Sequence, residues 1–401
     1  MRSAVIGTAH VLLRDRVVGE LGFRSGGCHF VYTDNLLDPE HAVLGQVFED
    51  APRKTFSEQT GLPAWFANLL PERGSGLRRF YAARFGEREI DDARLLLSLG
   101  ADLPGAAVVV PIDVPAEGVL VDRAAVRIDG VGLHLAALAG AQPKLSVTRD
   151  GHRFTLPADG AAGDWIAKLP DTAVPGLIEN EFMMMRWAAD AGLNLPRVDL
   201  VPARRIPPVF DVRVANGGHA YVVERFDRGE DGSRIHMEDL AQVTGRFPAA
   251  RDDPAVTYDG IGRLVLEIAG EADFVEYTRR LVAMVLMGNC DAHLKNWTLW
   301  YPDGRAARLA PAYDLVCTTY YPAVRRQLTF TLAGMTRSES VGRDAFRSLA
   351  ETAGYGADLL MAVDETANAL RASWREIRKD APLPAIVDHI DRRLSRHPLL
   401  T

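Results

Sequence analysis

The chain is short of cysteine, of long apolar runs and of positive charge. Cys28, Cys290 and Cys317 are its only cysteines in 401 residues, and they stand far apart. Such an odd, scattered set builds neither a disulfide framework nor a zinc-ligand spacing, and it suits a reducing compartment. No apolar stretch reaches the roughly 20 residues that cross a bilayer. The N-terminus, Met1-Arg2-Ser3-Ala4-Val5-Ile6, lacks the apolar core of a secretory signal. A cytoplasmic protein without membrane association is expected. The net charge of −7 argues against a broad electrostatic footprint on nucleic acid and leaves room for a local basic patch. The sequence contains no internal repeat and no low-complexity segment.

What is there is ordinary in bulk. Hydrophobic residues make up 47% and charged residues 25%, so the chain can build a large core in two or three domains. Pattern divides it into three regions. Met1 to Pro111 mixes short strands with helices: His29 to Tyr32 and Ala106 to Val110 read as strands, and Leu77, Phe80 and Tyr81 fall at helical spacing. Ile112 to Phe226 is strand-rich. Lys144 to Thr148 and Arg153 to Leu156 flank the hairpin signal Asp150-Gly151. Trp165 to Leu169 reads as a strand closed by Pro170, Glu181 to Ala191 as a helix stopped by Gly192, and Ala220 to Val223 as a buried strand. Asp227 to Thr401 is mostly helical. Phe274 to Met287 is apolar nearly all round, which predicts a buried helix, and amphipathic helices follow, broken at Gly354-Tyr355-Gly356 and Pro382. Strands, then a short hinge, then helices is an α+β order. It is the layout of a two-lobed, protein-kinase-like fold, with a small N-terminal α/β subdomain ahead of a strand-rich nucleotide-binding lobe and a helical catalytic lobe.

The chemistry concentrates just past the predicted buried helix, in Gly288-Asn289-Cys290-Asp291-Ala292-His293-Leu294-Lys295-Asn296, followed by Tyr313-Asp314. Phosphoryl transfer of the protein-kinase type needs one Asp to orient the attacking hydroxyl, and an Asn and a second Asp to hold magnesium on the nucleotide phosphates. Asp291, Asn296 and Asp314 supply that set in that order, with Tyr313 beside the second Asp. Taken singly, each is equally readable as a turn or helix-start residue. His293 either contacts a phosphate or braces the loop, and Cys290 packs as a small hydrophobe.

Upstream, Lys168 is the single charge in an apolar strand, where an unpaired ammonium is costly to bury. It either meets nucleotide phosphates or points to water from an edge strand. Glu179 or Glu181 pairs with it or serves the helix dipole. Leu138 to Lys144, with Gly140, Ala141 and Gln142, is a small-residue loop whose backbone can approach phosphates. It is neither a Walker loop nor a kinase glycine loop. Glu224-Arg225-Phe226 ends the last strand, where a hinge presents backbone groups to adenine.

Together these segments resemble the HipA-type serine/threonine kinase toxins of bacterial toxin–antitoxin modules. The marks are Leu69-Leu70-Pro71-Glu72, Ala139-Gly140-Ala141-Gln142-Pro143-Lys144, Ile166-Ala167-Lys168-Leu169-Pro170, Glu179-Asn180-Glu181, Val223-Glu224-Arg225-Phe226-Asp227, Gly288 to Asn296 and Tyr313-Asp314-Leu315, and they extend over nearly the whole chain. The resemblance implies ATP and Mg2+ as cofactors. Asp291 would be the catalytic Asp, Asn296 and Asp314 the magnesium ligands, and Lys168 the phosphate lysine. Gly140 to Lys144 would be the phosphate-side loop, and Asp171 to Leu177 an activation-type loop. Glu224 and Phe226 would meet adenine through their backbones. The resemblance also implies a translation enzyme, notably an aminoacyl-tRNA synthetase, as the phosphorylated target. A helix-turn-helix, HipB-like antitoxin would neutralise the kinase, and DNA would be reached only through it. One departure stands out: where known members carry an autophosphorylated serine ahead of the loop, this chain has Ala137. A small-molecule kinase on a related fold and a non-catalytic module that binds a repressor are the alternatives.

Overall fold

The computed structural model describes residues 7–401 except 35, 39–40, 113–126, 129–130, 133–143, 152, 158–162, 171–173, 208–217 and 324–325. The backbone forms two compact units. Unit 1 comprises Met1–Leu169, Pro202–Ala250 and Trp300–Ala306. Unit 2 comprises Pro170–Val201, Arg251–Leu299 and Ala307–Thr401.

Unit 1 holds two antiparallel sheets. The first has the order β4-β3-β2-β1-β5. Its strands are β1 (Gly7–Leu13), β2 (Arg16–Arg24), β3 (Gly27–Tyr32), β4 (Thr55–Glu58) and β5 (Ala107–Pro111). Burial alternates along β1, as expected of a strand with one face on a core. Short helices α1 (Gln46–Glu49) and α2 (Ala64–Ala67) precede α3 (Gly76–Arg84) and α4 (Asp92–Leu99). Ser75 and Asp91 cap the latter two by accepting from backbone amides. The core is aromatic: Phe30 and Phe66 lie 4.8 Å apart edge to face, and Phe48 and Phe56 lie 4.9 Å apart.

After the two-residue strands β6 (Arg127–Ile128) and β7 (Val131–Gly132) comes the second sheet. It includes β8 (Lys144–Asp150), β9 (Arg153–Thr155), β10 (Trp165–Lys168) and β12 (His219–Glu224). The β8–β9 hairpin turns at Gly151, whose φ of 57° suits glycine. Strand β10 runs antiparallel to β8 on one side and β12 on the other, so it is an interior strand. Strand β11 (Val198–Pro202) carries the chain across the boundary of the units. Strand β13 (His236–Asp239) and α6 (Leu240–Val243) complete unit 1, with Asp239 and Gln242 forming a capping box.

Unit 2 is helical. It contains α5 (Leu177–Asp190), α7 (Tyr258–Ala269), α8 (Glu271–Met287), α9 (Arg343–Ala353), α10 (Leu359–Ile377) and α11 (Val387–Leu394). Helix α8 is buried on nearly every face and packs against α7 and α10. Trp187 of α5 packs at a tilt against Trp374 of α10, ring centroids 4.7 Å apart, and donates its indole N–H to Leu370 O. Helix α5 starts four residues earlier than the apolar pattern predicts. Its first turn is paid in tertiary bonds: buried Asn180 accepts from Cys317 N at 2.9 Å and donates to Cys317 O at 3.1 Å. Strand β14 (Thr298–Tyr301) follows the Asp291 loop, and Ala310, just after β15 (Arg308–Leu309), donates to Thr298 O.

Candidate active site

Helix α8 ends at Gly288, whose φ of 75° and ψ of 36° place it in the left-handed region. The chain then turns into the Asp291 loop, whose backbone makes several of the bonds that shape it. Cys290 donates its amide to Thr318 Oγ1 at 2.7 Å and its carbonyl accepts from Thr329 Oγ1 at 2.9 Å. Ala292 O accepts from Tyr258 OH at 3.1 Å, and Leu294 N donates to Arg251 O at 3.0 Å. A single 3-10 turn, Leu294–Asn296, closes it. The Asp291 side chain itself is exposed, while Ala292 to Lys295 are buried. An exposed carboxylate on a fully anchored backbone suits a group that must meet a second molecule in fixed geometry.

The Asp314 segment is stitched to this loop at two points. Tyr313 OH lies 2.7 Å from Lys295 O and 2.6 Å from Thr298 Oγ1, so it grips the turn that carries Asn296. Asn289 Oδ1 accepts from Asp291 N at 3.1 Å, and its Nδ2 donates to Asp314 O at 3.4 Å. Asp314 adopts φ 55°, a left-handed conformation uncommon outside glycine that Asp tolerates better than most residues and that recurs at functional sites. Asp291, Asn296, Tyr313 and Asp314 are thus brought together within unit 2.

His293 is buried, and its Nδ1 has no hydrogen-bond partner among the described residues. Burial, with the nearby Arg251 guanidinium assisting, pushes its pKa down to about 3. The ring is neutral at physiological pH and offers a hydrogen bond rather than a charge. Cys290 is a buried free thiol, as its reading as a small hydrophobe requires.

Unit 1 holds the other residues singled out. Lys168 is 5% exposed on an interior strand, which overturns the edge-strand reading. Its ammonium lies 5.6 Å from the centroid of the Tyr221 ring. Its register partner on β8 is Lys144, so two cations stand on the same face of adjacent strands. Gly140, Ala141, Gln142 and Ala137 lie outside the described residues, as does Asp171. Glu179 and buried Glu181 belong to α5 in unit 2.

Around the hinge, Glu224 ends β12, and Phe226 lies edge-on to Trp300 at 6.2 Å. Arg225 is committed to the fold. Its amide donates to Asp164 O at 2.8 Å, and its guanidinium bonds to Asp227 at 2.9 and 2.8 Å. Asp227 also accepts from Gly105 N at 2.9 Å and from Arg228 at 2.8 Å, and Arg228 reaches Asp102 at 3.1 Å.

The HipA N-terminal domain family matches residues 9–110, and the HipA-like C-terminal domain family matches residues 136–374. The chain belongs to the HipA family. It is 36% identical over 338 residues to the putative kinase Y4dM of Sinorhizobium fredii, covering 82% of this chain and 81% of the relative. It is 25% identical over 371 residues to the serine/threonine-protein kinase toxin HipA of Shewanella oneidensis, covering 83% of this chain and 80% of that one. The fold matches a HipA chain solved in the complex of the Shewanella oneidensis toxin–antitoxin system HipA, HipB and its operator DNA. The TM-score is 0.69 at 20% identity, over 97% of this chain and 96% of that one. The α+β, two-lobed kinase-like fold is therefore the fold of this HipA-family chain. Among the described residues no helix is long and apolar enough to cross a membrane.

Sequence reasoning missed the residues that hold the Asp291 loop. Asn289, Thr318, Thr329 and Tyr258 bond to it directly. Asn289 stands inside the motif, and its amide side chain was the one signal available. Thr318, Thr329 and Tyr258 come from elsewhere in the chain, where nothing local marks them.

Proposed function

We propose that this chain is an ATP-dependent serine/threonine protein kinase acting as a HipA-like toxin on a translation enzyme, with an aminoacyl-tRNA synthetase as the target class. The observation that carries this reading is the exposed Asp291 carboxylate on a backbone-anchored loop, with Asn296 and the left-handed Asp314 tied to the same loop. In this reading Asp291 orients the acceptor hydroxyl and accepts its proton. Lys168 and Lys144 hold nucleotide phosphates, and the backbones of Glu224 and Phe226 meet adenine. The small-residue loop Gly140, Ala141 and Gln142 lies on the phosphate side.

Among the described residues no group of three or more His, Cys, Asp or Glu side chains could hold a metal ion. Asn296 and Asp314 are two oxygen donors, which suits magnesium bound jointly with substrate phosphates. Magnesium, when bound, would neutralise phosphate charge during transfer. The proposed division is an N-terminal subdomain (1–111), a nucleotide-binding lobe (112–226) and a catalytic lobe (227–401). A helix-turn-helix, HipB-like antitoxin is the proposed partner, DNA is reached only through it, and the compartment is the cytoplasm. The relatives' names and the fold shared with a HipA solved beside HipB support this reading.

The test is phosphoproteomics on a lysate supplied with Mg-ATP and the purified protein, with Asp291→Asn in parallel. One strongly labelled translation enzyme, absent with the variant, is the expected result. Binding of Mg-ATP without protein labelling would point to a small-molecule acceptor, and no ATP binding would point to a non-catalytic module.

A further inference from the structure

The C-terminal end of α8 is held from far along the chain. The last carbonyls of any helix lack intrahelical partners, and cations near that end are favourable. The last turn of α8 carries no basic residue of its own. Arg393, on α11, fills the role. Its Nε donates to Leu286 O at 3.0 Å, and its Nη2 donates to Val285 O at 2.6 Å and Ser338 Oγ at 2.5 Å. The guanidinium lies close to Gly288: a Cβ built there would fall 3.1 Å from Arg393 Nε and 3.2 Å from its Cζ, and would collide with Thr319 Oγ1. Gly288 O in turn accepts from Thr319 N at 3.1 Å and Thr318 Oγ1 at 3.2 Å.

A second route joins the same two elements, because Thr319 Oγ1 lies 3.1 Å from His389 Nε2 on α11. The helix is itself pinned to α10: Asp391 accepts from Trp374 Nε1 at 2.8 Å and pairs with Arg378 at 2.9 Å. His397, just past α11, donates to Ser338 O at 3.0 Å, so both ends of this segment grip one buried serine. The residue after Gly288 is Asn289, which bonds to the amide of Asp291 and to Asp314 O. The path from Arg393 to Asp291 is therefore continuous: α8 terminus, Gly288, Asn289, Asp291. Arg393 also lies beyond residues 136–374, the span matched by the C-terminal domain family.

We propose that Arg393 is a positioning residue: helix α11 acts as a latch that fixes the end of α8 and so holds Asp291 in the geometry phosphotransfer requires. This rests on the kinase reading above. The latch acts first on the geometry of Asp291, and because Asn289 also bonds to Asp314 O it touches the proposed magnesium site as well.

The test uses the full chain as Arg393→Met, with Arg393→Lys and Ser338→Ala beside it in case the first variant does not fold. Amide hydrogen exchange over residues 288–296 is measured without nucleotide, then Mg-ATP affinity, then ADP release with water as acceptor. The latch predicts exchange about tenfold faster at these amides and ADP release at saturating Mg-ATP about tenfold slower, with any loss of Mg-ATP affinity smaller than the loss of turnover. Arg393→Lys keeps the charge but loses the fork that reaches two acceptors, so it should fall between the extremes. Unchanged exchange in the folded variants overturns the latch, and so does faster exchange with undiminished ADP release. Asp291→Asn separates the two ideas. If it releases ADP as fast as the unmodified protein, the kinase reading falls and the latch falls with it. If it is slow while Arg393→Met is not, the latch alone is wrong.

Discussion

Asp227 and Asp291 are the same side chain in opposite situations. Asp227 is buried, and its carboxylate accepts from Arg225, Arg228 and the Gly105 amide. Burial alone would raise its pKa, but the Arg225 and Arg228 guanidiniums outweigh it and hold the carboxyl well below the usual range. Asp291 is exposed, and the bonds that shape its loop run between backbone and distant side chains. A carboxylate kept for structure is enclosed by the fold's own cations. In the proposed reading the Asp291 carboxylate meets its substrate at the surface while its backbone is held. The two can be told apart by which part of the residue is immobilised.

Two substitutions sharpen this contrast. Asp291→Asn should lower phosphotransfer by about a thousandfold, within the range for a positioned proton acceptor, while thermal unfolding stays nearly unchanged because the side chain is exposed. Asp227→Ala should do the reverse in kind. Removing one carboxylate of a buried ion cluster leaves Arg225 and Arg228 sharing Asp102 alone and costs about 3–5 kcal/mol in denaturant unfolding. Equal melting of the two variants would abolish the distinction.

Much of this was legible from residue types and spacing. The buried helix α8, the hairpin at Gly151 and the strand bearing Lys168 each leave a local pattern, because periodicity reports which faces are covered, whereas the interior place of that strand came only from the structure. That the Asp291 loop and the Asp314 segment lie together was expected from the sequence, because the proposed magnesium and hydroxyl chemistry admits few residue types. The ion cluster was not. Arg225 and Arg228 meet Asp102 and Gly105 across more than a hundred residues of chain, and a long-range pair has no period. For the same reason the pairing of the Arg225 guanidinium with Asp227 and Asp102 is not marked in the sequence, where Arg225 reads as part of a hinge that offers backbone groups. Arg393 reaches Leu286 over 107 positions and is equally silent.

Glu238 extends the contrast to pH. It is fully buried and accepts from Tyr301 OH at 2.6 Å, Gln46 N at 3.0 Å and Trp65 Nε1 at 3.1 Å. Burial outweighs these bonds and pushes its pKa up to about 7. Between about pH 4.5 and 7 the folded state keeps a proton that the unfolded chain has lost, so stability falls as pH rises through that window and levels off above it. Neighbouring His236 has the opposite sign: burial pushes its pKa down to about 4, so it costs stability as pH falls below about 6.5. Comparing the unmodified protein with Glu238→Gln cancels the His236 contribution. The difference in unfolding free energy should decline by about 3 kcal/mol from pH 4.5 to 7. A flat difference would mean that Glu238 titrates normally.

The smallest effect tests whether burial, and not contact length, decides what an ion pair is worth. Arg263 and Glu267 on α7 lie 2.8 Å apart at i,i+4 spacing, the same length as the Arg225–Asp227 contact. Their side chains are 63% and 54% exposed, against 1% and 5% for Arg225 and Asp227. Water screens the exposed pair and the helix needs it little, so Arg263→Ala should cost only about 0.3–0.5 kcal/mol, and less in high salt. A loss approaching that of Asp227→Ala would show that geometry alone carries the energy, and the distinction drawn between enclosed and surface carboxylates would then rest on distance rather than environment.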